Sequence, residues 1–355
     1  MHELAKPLLA GRRCLKTRHI SSTCTACIDI CPEKALAVKE KHLVFGASRC
    51  TGCGACISVC PQDALIAPVF TDEAFEAVLR REAPLGRIVF ATLNAAAEEK
   101  KVSVPSLLYL TTDRLLFSAA LGARAMTLIF TPGSDDERAL PVIERRLAIL
   151  KKILSEFHLP LHVEIRCAKP RIDAVRRRFF AEFGARLGEG SELEPESSEA
   201  KSRIAKSLAE EPFVRVPQSR SRLLFALATL REASGNKESP EASRCFSTPE
   251  IDPGKCSACA LCAAVCPTGA LQADRGDAKS KEALRLMLDA KACTGCRLCA
   301  DICFMNAVDL HEETTLERAL SPAPRTLFSA SKDSHAFDTW EEKLSGMINA
   351  PIYRT

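Results

Sequence analysis

Sixteen of the 18 cysteines fall into short runs near the two ends of the chain, and that grouping limits the fold more than any other feature. Cys50-x2-Cys53-x2-Cys56-x3-Cys60-Pro61 and Cys256-x2-Cys259-x2-Cys262-x3-Cys266-Pro267 have the spacing at which a tight loop wraps a cubane iron–sulfur cluster, with the fourth thiolate reaching a neighbouring cluster. Cys293-x2-Cys296-x2-Cys299-x3-Cys303 repeats it with Phe304 in place of proline. A zinc ribbon would use two CxxC pairs in a closed S4 site, and these runs offer one thiolate too many in the wrong place. Disulfides are disfavoured in the cytosolic setting read below.

Each run closes on a repeated element: Cys31-Pro32-Glu33-Lys34-Ala35-Leu36, Cys60-Pro61-Gln62-Asp63-Ala64-Leu65, Cys266-Pro267-Thr268-Gly269-Ala270-Leu271 and Cys303-Phe304-Met305-Asn306-Ala307-Val308. Four copies in two pairs predict two modules separated by unrelated sequence. In these runs the chain resembles the bacterial dicluster ferredoxin family. The resemblance covers about Cys14 to Ala67 and Lys255 to Leu310.

The resemblance implies crossed ligation. One C-terminal cluster would sit on Cys256, Cys259, Cys262 and Cys303, the other on Cys293, Cys296, Cys299 and Cys266. In the N-terminal module one cluster would take Cys50, Cys53, Cys56 and Cys31. The other has Cys24, Cys27 and Cys60, but Ser21 stands where the family's first cysteine belongs. Either Ser21, water or an exogenous ligand completes it, or Cys14 is recruited across a short loop. The loop is cheap to close and thiolate is the softer iron ligand, so Cys14 is expected, against the alternative of an ordinary buried thiol.

The middle, from about Phe70 to Leu187, alternates short apolar runs with amphipathic stretches. Arg87–Thr92, Met126–Phe130 and Leu161–Ile165 read as buried strands. Asp113–Leu121, ending at Gly122, Glu137–Phe157 and Ile172–Phe183 read as helices. Such alternation predicts βαβ units on a parallel sheet. Through Val104-Pro105-Ser106-Leu107, Leu116 to Ala123, Pro132-Gly133 and Glu144-Arg145-Arg146-Leu147 this segment resembles the delta subunit of methyl-viologen-reducing hydrogenase and related heterodisulfide-reductase modules. That resemblance implies a flavodoxin-like fold. The loops that carry cluster cysteines in that family hold Thr92, Asn94, Ser106, Ser134 and Asp136 here, so no redox site is expected in them. Cys167 and Cys245 read as solitary thiols, and Asp135-Asp136 as a solvated helix start.

The predicted architecture is therefore α+β and multidomain: an N-terminal 2×4Fe–4S module over 1–69, a central flavodoxin-like α/β domain over 70–187, a linker with a helical segment over 188–250, a C-terminal 2×4Fe–4S module over 251–310 and a tail over 311–355. The tail carries an expected helix around Trp340–Met347. The stretches Gly188–Glu199 and Ser234–Pro240 read as mobile linkers.

A formal charge of +4 is too nearly balanced for a nucleic-acid binder. Four oxidised clusters at about −2 each would bring it to about −4. Arg12, Arg13, Lys16 and Arg18 around Cys14 read as a solvated basic rim or docking patch, or as cations that favour a reduced cluster. Gly11-Arg12-Arg13 superficially resembles a twin-arginine export signal, but no apolar stretch follows, and a cytoplasmic protein without direct membrane insertion is expected. No Gly-rich phosphate loop occurs, so neither flavin nor nucleotide is predicted. Two ferredoxin modules without a substrate site predict an electron carrier with four 4Fe–4S clusters and a partner oxidoreductase, not an enzyme by itself. The alternative, by resemblance, is a non-catalytic accessory or maturation protein for a molybdenum or tungsten enzyme such as formate dehydrogenase.

Overall fold

The computed structural model describes residues 7–40, 42–67, 70–92, 95, 101–168, 212, 214–235, 246–276, 282–311 and 316–331. These fall into two compact units, one drawn from Met1–Cys14, Thr25–Glu211 and Gln218–Glu238, the other from Leu15–Cys24, Pro212–Pro217 and Ser239–Thr355. The sequence-read helices Ile172–Phe183 and Trp340–Met347, the linker Gly188–Glu199 and Cys245 lie outside the described residues.

The first unit opens with two small antiparallel pairs, β1 (Leu8–Leu9) with β4 (Leu65–Ile66) and β2 (Leu36–Lys39) with β3 (His42–Phe45). Beside them lies a four-stranded sheet. Its strands β5 (Arg87–Thr92), β6 (Val102–Val104), β7 (Ala125–Phe130) and β8 (His162–Cys167) run parallel in the order β6-β5-β7-β8. All but the first residue of β5 and of β7 are buried, the pattern of strands covered on both faces.

The flanking helices have visible causes. Thr71 caps Asp72–Glu82 by accepting from the Ala74 N–H at 3.3 Å; Asp72 and Glu73 sit in its first turn and Arg80 and Arg81 in its last, matching the helix dipole. Leu140–Glu156 buries Ile143, Leu147, Leu150 and Leu154 along one stripe, each worth about 1.5–3 kcal/mol in full. The sequence predicts one helix over Glu137–Phe157, but it breaks before Leu140, where Pro141 starts a second helix after the short Asp135–Arg138. Pro141 sits in the first turn, where its missing N–H costs nothing.

The helix Gln218–Ser234 packs on Thr112–Ala120 in this unit, with Phe117 and Phe225 ring centroids 5.5 Å apart. Arg222, buried on that helix, bridges Asp72, Glu76 and Asp113 at 2.5, 3.0 and 2.5 Å. The stretch read as a linker with a helical segment thus supplies a core helix.

In the second unit β9 (Thr248–Ile251) pairs with β12 (Val308–His311), and β10 (Leu271–Asp274), β11 (Glu282–Leu288) and β13 (Arg325–Ser331) form an antiparallel sheet in that order. Leu284, Leu286 and Leu288 alternate inward against Phe328 and Ala330. The sequence leaves 325–331 in the tail, yet it closes this sheet. Among the described residues no helix is long and apolar enough to cross a membrane.

Candidate metal centres

In all four copies of the repeat the residue three after the cysteine, and two before the final apolar position, has the same local geometry: Lys34, Asp63, Gly269 and Asn306 all have positive φ, at 48°, 47°, 67° and 50°. The left-handed residue folds the chain back so that the following N–H meets the cysteine sulfur. Ala35, Ala64 and Ala307 donate to Cys31, Cys60 and Cys303 at 3.2, 3.2 and 3.3 Å, and Leu271 donates to Cys266 at 3.5 Å. The CxxCxxC loops use the same device, with Gly52 and Gly54, Ala258 and Ala260, and Gly295 and Arg297 all at positive φ. Successive N–H groups turned inward form a concavity suited to anionic sulfur.

The cysteines gather across the runs. Burial raises the Cys256 thiol, with Cys259 and Cys303 adding to it. Burial pushes Cys262 up to about 12, with Cys256, Cys259 and Cys303 as charged neighbours. Cys296, also about 12, is raised by burial and then by Cys293 and Cys266; Cys299 is raised by burial and by Cys296, Cys293, Cys262 and Cys266. In the first unit burial raises Cys56, followed by Cys53, Cys27, Cys50 and Cys31. One pocket of the first unit is lined by Cys31, Cys50, Cys53 and Cys56 together with Gly54 and Pro7. Among the described residues no three His, Cys, Asp or Glu side chains are grouped to hold a single metal ion.

Cys14 is brought to Cys60 by pairing. β1 aligns Leu9 with Leu65, the Ala10 N–H donates to Ala64 O at 2.8 Å, and Arg13 Nη1 donates to Asp63 O at 2.8 Å. Cys14 is buried in one apolar cluster with Cys56, against which Cys27, Cys31 and Cys60 pack. Burial pushes the Cys60 thiol up to about 11, and Cys14 is one of its charged neighbours. Ser21 is exposed, and its N–H donates to His19 Nδ1 at 3.1 Å.

Two local readings are corrected. Arg18 is partly buried rather than a solvated rim: burial lowers its pKa, and its thiolate neighbours are Cys266 and Cys296. Its segment is fastened within the second unit by Thr23, whose N–H and hydroxyl donate to the Asp301 carboxylate at 2.8 and 3.0 Å. Asp136 is buried, accepting from Ser106 Oγ at 2.6 Å and the Leu107 N–H at 2.7 Å, where a solvated helix start is expected. Cys167 ends β8 as an exposed thiol.

The residues suit a cubane cluster on two further observations. Gly54, in the cysteine loop, is at φ +74° and lets the loop close against Tyr109, since a Cβ there would lie 2.0 Å from Tyr109 Cε2. Tyr109 is 1 % exposed, and its buried hydroxyl has no partner among the described protein atoms. An orphaned buried donor costs about 1–3 kcal/mol unless something absent from the polypeptide satisfies it. Sequence reading missed Tyr109 because it lies far from any cysteine, in an apolar Leu-Leu-Tyr-Leu run that reads as core.

A family model for a 4Fe–4S dicluster domain matches residues 22–64, and models for a 4Fe–4S binding domain match 249–272 and 290–305. The class so defined is that of iron–sulfur proteins with repeated 4Fe–4S ferredoxin-type domains, and it supports an electron-transfer protein. No curated protein matches the chain, and no solved structure does.

Proposed function

We propose that this chain is a relay carrying four 4Fe–4S clusters, taking electrons from a low-potential donor and passing them to a partner oxidoreductase in the cytoplasm. When bound, each cluster supplies a one-electron centre whose potential follows its hydrogen bonds and exposure. The observation that carries the reading is the crossed gathering of thiols: Cys256, Cys259 and Cys262 with Cys303, and Cys293, Cys296 and Cys299 with Cys266. In the N-terminal module the family's pattern would give Cys50, Cys53, Cys56 and Cys31 to one cluster and Cys24, Cys27, Cys60 and Cys14 to the other. Burial of Cys14 beside Cys60 supports that choice over Ser21.

The protein's own part is to orient thiolates, supply inward N–H groups and exclude water. The modules over 1–69 and 251–310 do this, and the domain over 70–187 is read as flavodoxin-like. Its strands, counted in chain order, lie 2-1-3-4, which supports that reading. Its resemblance to the hydrogenase delta subunit would make it a docking or spacing element.

Cys259→Ser tests the relay. Turnover of the oxidoreductase that co-purifies anaerobically with this chain should fall while that enzyme's own cofactor content stays unchanged. A partner made without its cofactor, yet working normally with the mutant once matured, would favour the accessory reading.

A further inference from the structure

The turn Leu107–Tyr109 follows β6 at the carboxyl end of the parallel sheet. It is fastened on both sides. Asp136, after β7, accepts from Ser106 and Leu107, and Arg146 donates from Nη1 to Leu108 O at 2.7 Å. The other nitrogen of Arg146, Nη2, donates to Ser58 Oγ at 2.7 Å, on the short helix that carries Cys56. One buried guanidinium thereby locks the turn to the cysteine loop.

Held so, the Tyr109 ring lies against Gly54 and meets Phe70 edge-on at 5.2 Å. Its hydroxyl, without a partner among the described residues, has Cys56, Cys53 and Cys50 as neighbours. A phenol is protonated at neutral pH, so the hydroxyl is a donor. A buried tyrosine hydroxyl normally finds an acceptor, and the thiolates and sulfides of a cluster are acceptors only.

We propose that Tyr109 donates a hydrogen bond to a sulfur of the cluster held by Cys31, Cys50, Cys53 and Cys56, so that the central domain helps set that cluster's potential. The inference rests on the cluster assignment above. A donor stabilises the more negative, reduced state, and Tyr109 thus holds the potential of this one cluster up.

The test is an EPR-monitored redox titration of the full-length holoprotein and of Tyr109→Phe. One midpoint should move to more negative potential by about 59 mV, a tenfold change for one electron, with the others unmoved. All midpoints unmoved in a variant of full iron content would overturn the proposal. A wild type without iron would instead overturn the cluster assignment. Should Tyr109→Phe lose its cluster, 3-fluorotyrosine decides, since the chain has 2 tyrosines and a Tyr353→Phe background leaves only Tyr109 labelled. The more acidic phenol is a stronger donor and should raise the same midpoint; no movement overturns the proposal.

Discussion

Tyr109 occupies the space that any side chain at position 54 would need: a Cβ on Gly54 would sit 2.0 Å from the ring. Gly54→Ala therefore combines overpacking with a left-handed alanine. We expect a loss of at least about 2 kcal/mol by chemical denaturation, from the two penalties together, and the loss of one cluster's iron. Gly11→Ala, with open space around it, should change neither.

Cys14→Ser should lose one cluster or convert it to a three-iron form visible by EPR, whereas Ser21→Ala should leave spectra and iron content unchanged. The pairing of β1 with β4 delivers Cys14 to the turn after Cys60, which gives the first substitution its force. Full iron and unaltered spectra in Cys14→Ser would return Cys14 to the role of a buried thiol.

Arg222 faces three carboxylates. Burial alone would raise Asp72, but Arg114 and Arg222 outweigh it and hold its carboxyl below the ordinary range. A depressed folded pKa gives stability that is present above about pH 3.9, the unfolded value, and is lost as pH falls through the folded one. Arg222→Ala should cost about 3 kcal/mol at pH 7, because part-buried Glu76 and Asp113 lose this partner while Asp72 keeps only Arg114. Its deficit against wild type should shrink below pH 4, where those groups take up protons. A deficit independent of pH would mean that packing of the arginine stem is what matters.

Arg18 neighbours Cys266 and Cys296. Arg18→Gln removes a cation beside the site assigned to Cys266, Cys293, Cys296 and Cys299. One midpoint should become more negative, and it should differ from the one moved by Tyr109→Phe. An unchanged titration would place the guanidinium's influence elsewhere.

The cysteine runs were legible because ligation demands a fixed residue type at fixed spacing. The strands β5 and β7 were legible because continuous apolar runs mark a sheet covered on both faces. Other features left no such mark. Lys34, Asp63 and Asn306 adopt left-handed backbone that nothing in their side chains requires, and only Gly269 signals it at the equivalent place. Val102–Val104 is too short to show a period, and Arg325–Ser331 acquires its meaning only from β11 across the sheet. The buried Asp136 reads as solvated because its partners, Ser106 and Leu107, are about thirty residues away along the chain.

Spin integration of the anaerobically purified, fully reduced protein, set against its iron content, tests the central claim most directly. The account predicts about four one-electron centres per chain, each with about four iron atoms, and all of them reoxidised without loss of iron. Two centres, or iron that leaves during a single redox cycle, would contradict a four-cluster relay.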